Sequence, residues 1–408
     1  MKKILALLLA LCMVFALAAC GEPAADPTDA PDDGGAVTDA PDDGGSTGDK
    51  VIKIGVFEPQ SGDNGAGGKQ EILGMQYANS LTPTVEVGGE TYTVELVYAD
   101  NQSSNDKAVS AAQTLIAEGC SVVLGSYGSG VSIAAATTFG DAGIPAIGVT
   151  CTNPQVTQVS DTYYRICFID PFQGTVLANY AKELGATKAY CLAKQGDDYS
   201  VGLVNYFVEA FGAENCVQEV FQEGTSDYSS YVTNAKSNGC DIFVAPVSTE
   251  AAALIIDQAA TQDLGMPILA GDTWDSNVIV NAAQGKNVKI YVTTFYQEGG
   301  NAEFDAAFKE WINSDSVNLE NNGGNDMVAA VSVMGYDAYY VALEAIKAAG
   351  SADPAAVLEA LPSVSYAGVT GNIAFAEGAK DATRDVAFIK YCNTETAVWD
   401  LIGEQGIE

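Results

Sequence analysis

From Val51 onward two apolar patterns alternate along the chain. Short continuous apolar runs are separated by longer stretches whose apolar residues recur every three or four positions. The first pattern predicts strands buried on both faces, and the second predicts helices lying against them. In a first series, "VIKIGVF" (51–57), "TYTVELVYA" (91–99), "SVVLG" (121–125) and "IPAIGVT" (144–150) read as strands. Between them "GKQEILGMQYANSL" (68–81), "DKAVSAAQTLIAEG" (106–119) and "VSIAAATTFGDAG" (131–143) read as helices, the middle one stopped by Gly119.

A second series begins near Asp170. Its helices are "PFQGTVLANYAKELG", "YSVGLVNYFVEAFG", "YSSYVTNAKSNG" and "EAAALIIDQAATQDLG"; its strands are "TKAYCLA", "CVQEVF", "CDIFVAPV", "MPILAG" and "VKIYVTTF". Long helices are expected at 302–313 and 327–349, and "GNIAFAEG" and "DVAFIKYC" end the chain as strands. Such βα alternation builds parallel sheets covered by helices. Two series in 408 residues fit two doubly wound α/β lobes better than one very large sheet. Ligands of such folds sit beyond the carboxyl ends of strands, and in two-lobed proteins they sit in the cleft between lobes.

The first 50 residues break the pattern. "MKK" is followed by the apolar run "ILALLLALCMVFALAA", which is short for a membrane span and ends in small residues before Cys20. This predicts a signal peptide over 1–19, and "LAAC" resembles a bacterial lipobox, which implies cleavage before Cys20 and a lipid on its thiol. Residues 20–50 repeat "TDAPDDGG" and hold almost no apolar side chain, so they read as a disordered acidic tether from that lipid anchor. The expected location is the extracytoplasmic face of the cell membrane.

Composition narrows the chemistry. The chain has no histidine, which rules out a Ser-His-Asp or Cys-His device. Its net charge of −35 becomes −37 once Lys2 and Lys3 leave with the signal, and it repels nucleic acid. Lysine and arginine are too sparse for a dedicated phosphate site. After Cys12 and Cys20, the cysteines are Cys120, Cys151, Cys167, Cys191, Cys216, Cys240 and Cys392. Their odd number and wide spacing predict buried thiols or one incidental bridge, and no metal site or cofactor is expected.

Four strand ends carry candidate chemistry. In "VVLGSYGSGVSIAAA" (122–136), Ser129 lacks the G-x-S-x-G spacing of a nucleophile elbow, having Tyr127 two before it and Gly130 after it. A serine amidase is therefore disfavoured. What remains is a helix start that attracts an anion, against the plain alternative that Ser129 or Ser132 caps its own helix. "TCTNP" places Thr150 and Thr152 at the end of the next strand, where a turn alone would also explain them. In "AGDTWDS" (270–276), Asp275 or Ser276 can cap a helix, leaving Asp272 to face a cation. Trp274 there lines a ligand or packs in the core, and Tyr199 in "KQGDDYSVG" is equally divided between packing and contact.

Taken in order, "IKIGVFEPQSG", "GSYGSGVSIAAA", "AGIPAIGVTCTNP", "YRICFIDPFQGTVLANY", "YSVGL", "LAGDTWDS", "GYDAYYVALEAI" and "GVTGNIAF" resemble the leucine/isoleucine/valine-binding family of solute-binding lipoproteins, over residues 51 to about 391. The resemblance implies a type I periplasmic binding fold with three crossings between lobes: 51–170 plus 296–366, and 171–295 plus 367–408. It implies an amino-acid carboxylate held at Ser129 and Thr152, with the Thr150 hydroxyl expected at the same end, and an ammonium held by the Thr150 carbonyl and Asp272. Tyr199 would close from the second lobe, with Trp274 beside it.

The implied protein is a monomer that captures a branched-chain-like amino acid or small amide and delivers it to an ABC permease/ATPase complex. It is not an enzyme. A sensory receptor for amides or aromatic acids is the alternative. The chain departs from the family pattern at Gly67 and at Ser248 and Thr249, where relatives often carry aromatic residues, and at Ser103 and Gly128, where a disulfide is usual.

Overall fold

The structure, a computed structural model, describes residues 50–407. The expected signal peptide, Cys20 and nearly all of the tether lie outside the described residues.

The first sheet contains β1 (Val51–Glu58), β2 (Thr84–Val87), β3 (Glu90–Asp100), β4 (Val122–Leu124), β5 (Ala146–Gly148) and β6 (Tyr163–Arg165), in the order β2-β3-β1-β4-β5-β6. All its pairs are parallel except the β2/β3 hairpin. Ile54 and Val56 of β1 and Val122 and Leu124 of β4 are fully buried, as the continuous apolar runs require. Helices α1 (Gly65–Leu81), α2 (Asn105–Ala117), α3 (Ser129–Asp141) and the short α4 (Gln155–Gln158) connect these strands.

The second sheet contains β7 (Ala189–Lys194), β8 (Cys216–Phe221), β9 (Ile242–Val244), β10 (Ile268–Ala270) and β11 (Ile290–Thr294). Helices α5 (Asp170–Glu183), α6 (Asp198–Phe211), α7 (Ser229–Ser237), α8 (Thr249–Thr261) and α9 (Asn277–Ala283) serve it. Helix starts in this half are capped by side chains: Asp197 accepts from the Ser200 N–H and Ser276 from the Val278 N–H.

The chain then returns to the first sheet with α10 (Ala302–Asn313), α11 (Ser316–Asn321), α12 (Ala330–Ala349) and α13 (Pro354–Ala360). Helix α12 lies unusually close to α1. A Cβ on Gly74 would stand 1.7 Å from the Ser332 carbonyl oxygen, and one on Gly335 would stand 2.2 Å from that of Glu71. Only glycine allows that approach. Tyr77, Phe304, Phe308, Trp311 and Tyr336 fill the space beside it.

A separate hairpin, β12 (Ser365–Gly368) and β13 (Gly371–Ala374), precedes β14 (Ala387–Asn393) and β15 (Val398–Gln405). These last two join the second sheet antiparallel, giving the order β15-β14-β11-β10-β9-β7-β8. Strands β2, β12 and β15 were not legible in the apolar pattern because each is an edge strand with exposed positions.

Three segments connect the two halves and run side by side. The Phe168 and Phe295 rings lie 4.3 Å apart, Arg384 Nε donates to the Ile166 carbonyl at 2.9 Å, and buried Arg165 pairs with Asp381 at 2.7 Å. All seven thiols from Cys120 to Cys392 are free, and all but half-buried Cys216 are buried. Among the described residues, no helix is long and apolar enough to cross a membrane, and no group of three or more His, Cys, Asp or Glu is placed to hold a metal.

Candidate functional site

The carboxyl ends of β1, β4 and β5 face those of β7 and β10 across a cleft, and the cleft is closed. From the first half, Asn153 Nδ2 donates to the Asp198 carbonyl at 2.8 Å and the Tyr127 hydroxyl donates to the Thr273 carbonyl at 3.1 Å. In the other direction, Ser276 Oγ donates to Gln70 Oε1 at 2.9 Å and Lys194 Nζ pairs with Asp63 at 2.6 Å.

Inside lies a cavity of about 40 Å³ walled by residues that include Asn64, Asn105, Tyr127, Ser129, Tyr199 and Thr273. Outward it shares Ser103, Asn105 and Asp197 with a polar vestibule of about 320 Å³.

Ser129 and Tyr199 therefore meet at one cavity although 70 positions separate them. Ser129 is the first residue of α3, and Gly128 occupies the cap position with no side chain to satisfy the helix. The N–H groups of a first helical turn lack intrahelical partners, and the helix dipole is positive there. Neither serine caps the helix. Ser129 Oγ accepts from the Asn153 N–H at 3.2 Å, while Ser132 Oγ donates back to the Gly128 carbonyl at 2.8 Å. The Ser129 hydroxyl proton thus remains available next to the helix start.

The "TCTNP" segment splits. Thr152 is fully buried, and its Oγ1 has no hydrogen-bond partner. It lies beside Asp170, whose backbone N–H donates to the Thr152 carbonyl at 3.0 Å. The Thr150 hydroxyl turns away from the cleft and donates to Glu71 Oε2 at 2.5 Å, so the expectation that this side chain touches ligand is replaced by an internal role. Arg165 fixes the segment from behind: Nη1 donates to the Cys151 carbonyl at 3.0 Å and to the Asn153 carbonyl at 2.6 Å.

Across the cleft, Asp272 opens a 3₁₀ turn after β10. Its Oδ1 accepts from Gln173 Nε2 at 2.9 Å and from the Tyr199 hydroxyl at 3.0 Å. A Cβ on Gly271 would come within 2.3 Å of that hydroxyl, so glycine is what lets Tyr199 reach the acid. Trp274 is corrected. It is wholly buried in the core of the second half, its indole Nε1 donating to the Val247 carbonyl at 3.1 Å. The 3₁₀ turn sends Trp274 inward and presents Thr273 to the cavity. Asp275 does not cap a helix; it pairs with buried Lys390 at 2.9 Å, and Ser276 does the capping.

The electrostatics are acidic. Burial pushes the Asp272 carboxyl up to about 6, against the pull of Gln173 and Tyr199. Burial pushes Glu71 up to about 7 and Asp170 up to about 8, and holds Glu58 well above the ordinary glutamate range. A site with helix-start donors on one wall and the Asp272 carboxyl on the other suits a ligand carrying both charges.

Tyr127, Glu58, Glu71 and Gln173 escaped the sequence reading, while Gly67 was marked only as a departure from the family pattern. One signal was present. A Cβ on Gly67 would stand 2.3 Å from the Tyr127 ring, so the aromatic residue missing at 67 is supplied from 127.

Comparison with known proteins follows the same lines. The model of a family described as periplasmic binding protein matches residues 51–395. The Leu/Ile/Val-binding protein homolog 1 of Brucella melitensis is 26% identical over 332 residues, covering 80% of this chain and 86% of the relative. The crystal structure of the leucine binding protein LivK from Thermotoga maritima is 31% identical, with a TM-score of 0.75 over 87% of this chain and 99% of that one. The branched-chain amino acid transporter substrate binding protein LivJ from Streptococcus pneumoniae, solved with isoleucine, shares the fold. It is 24% identical, with a TM-score of 0.73 over 88% of this chain and 99% of that one.

Proposed function

The chain belongs to the periplasmic binding protein family, and on that premise we propose that it is the extracytoplasmic receptor of an ABC importer, capturing an amino acid between its two lobes. The curated relative and LivK carry leucine or Leu/Ile/Val in their names, which supports a branched-chain-like amino acid or small amide as the ligand. One observation carries the reading. The start of α3 with Ser129, and Tyr199 on its Asp272 partner, face one cavity from opposite lobes. The α3 N–H groups and Ser129 take the carboxylate, with Thr152 behind them. Asp272 takes the ammonium once Tyr199 yields to the ligand, and the ammonium returns the acid to its charged form.

The closed cavity of about 40 Å³ makes capture depend on opening. The lobes, residues 51–170 with 296–366 and residues 171–295 with 367–408, hinge on the three adjacent connections. A ligand that touches both lobes favours the closed form by its differential affinity, and a permease partner reads that closure. Nothing in this role makes or breaks a covalent bond. Cys20 carries the lipid anchor and the acidic tether spaces the receptor from the membrane; the receptor works as a monomer. Isothermal calorimetry of the purified chain against the twenty amino acids and small amides tests the proposal. Saturable binding with one ligand per chain is expected, and folded protein that binds none of them refutes it.

A further inference from the structure

Two buried glutamates lie beneath the proposed carboxylate end of the cleft, and the binding role does not use them. Glu58 ends β1 and Glu71 lies on α1; both are 0% exposed. Each holds a different ligand-side loop. Glu58 Oε2 accepts the Tyr127 N–H at 2.7 Å, and Glu71 Oε2 accepts the Thr150 hydroxyl at 2.5 Å. The remaining oxygens, Glu58 Oε1 and Glu71 Oε1, are buried and have no donor. Among the described residues, no lysine or arginine pairs with either acid.

The backbone makes room for this arrangement. Gly125 sits at φ +119°, and a Cβ there would lie 2.5 Å from Glu58 Oε1. The two carboxyls lie within hydrogen-bonding reach of each other, and a pair buried without a cation does not ionise fully, so one proton held between them offsets their repulsion.

We propose that Glu58 and Glu71 are a proton-sharing pair of positioning residues that hold the Tyr127 and Thr150 loops in the ligand-binding arrangement, and that the charge on the pair sets ligand affinity. The proposal rests on the amino-acid reading of the cleft. Below about pH 7 both carboxyls keep their protons and both loops their acceptors; above it a single shared proton leaves the pair one negative charge, which opposes a bound carboxylate above it, so affinity falls as the pair ionises. Burial holds both groups above the ordinary glutamate range, with Glu71 at about 7. The titratable groups facing the pair are Tyr127 after β4, Cys151 after β5, Tyr163 of β6 and Asp272 from the second lobe; α12 packs on Glu71 through Gly335, and its own charged residues bond elsewhere, Asp337 to Val369 and Thr370 and Glu344 to Lys347. Asp272 acts with the opposite sign, because its ionised form pairs the ammonium. The pair's contribution is therefore the difference between wild type and variant.

The test is calorimetric titration of the full chain with L-leucine from pH 5.5 to 8.5. Glu71→Gln keeps an acceptor for Thr150 and cannot ionise. Relative to this variant, wild type is expected to lose about three- to tenfold in affinity as pH rises through about 7, with the two within about threefold at pH 6. Glu71→Ala is expected to weaken binding at least about tenfold at every pH. A Glu71→Gln profile parallel to wild type, or a folded Glu71→Ala that binds as wild type does, overturns the proposal.

A second readout needs no ligand. A glutamate raised on folding withdraws stability as pH climbs from its unfolded value through its folded value. Glu71→Gln should therefore melt above wild type at pH 8 and with it at pH 4.5; an equal offset at both overturns the pair. If wild type binds no amino acid, the receptor reading fails, while the melting curves still judge the pair.

Discussion

Replacing Asp272 by asparagine should move stability and binding in opposite directions. Asparagine keeps an oxygen where Gln173 Nε2 and the Tyr199 hydroxyl donate, at 2.9 and 3.0 Å, and removes only the charge. Burial raises this carboxyl from 3.8 to about 6. At about 1.36 kcal/mol per unit, holding it ionised at pH 7 costs the unliganded fold on the order of 3 kcal/mol. The sign follows from linkage. With a raised folded value, the acid's contribution to stability is fully present below about pH 4 and is lost as pH rises through about 6.

Asp272→Asn should therefore be more stable than wild type at pH 7, by up to about 3 kcal/mol, and nearly equal to it at pH 4. Binding should fall, because removing one partner of a buried charge pair costs about 2–5 kcal/mol, or roughly 30- to several-thousand-fold in affinity. Urea unfolding at pH 7 and pH 4, with amino-acid calorimetry at pH 7, gives both quantities. A variant that binds as wild type does removes Asp272 from the ammonium site. One that loses stability as well as affinity shows that the acid only braces Tyr199 and Gln173.

Three further outcomes follow from the same geometry. Lys390→Met strands Asp275 as an unpaired buried charge and should cost about 3–5 kcal/mol, while adding Asp275→Leu should recover most of it; denaturation midpoints decide. Gly67→Ala drives a Cβ into the Tyr127 ring and should cost about 1–3 kcal/mol, relieved by Tyr127→Leu in the same chain. Lys194→Ala removes a half-solvated bridge to Asp63 across the cleft, so release of a bound amino acid should quicken by only about two- to fivefold in stopped flow, the gap narrowing at high salt.

The elements and their order were open to reading because buried parallel strands leave unbroken apolar runs and their covering helices leave a 3.6-residue period. Helix α10 and strand β8 fall on the residues the pattern marks, 302–313 and 216–221. The want of histidine excludes triad chemistry on the sequence alone. Ser129 and Tyr199 could be proposed because a small-residue turn after a strand and an aromatic residue at a helix start are local signals.

Side-chain direction within those turns was not local. Thr150 points inward because Glu71, 79 positions earlier, offers it a buried acceptor. Trp274 packs in the core because a single 3₁₀ turn rotates Thr273 to the cleft in its place. The Glu58 and Glu71 carboxyls come within reach of each other from β1 and α1, each also bonding a loop, Tyr127 after β4 and Thr150 after β5. Local sequence settles which elements form; which face of a turn meets the ligand depends on partners that only folding brings within hydrogen-bonding distance.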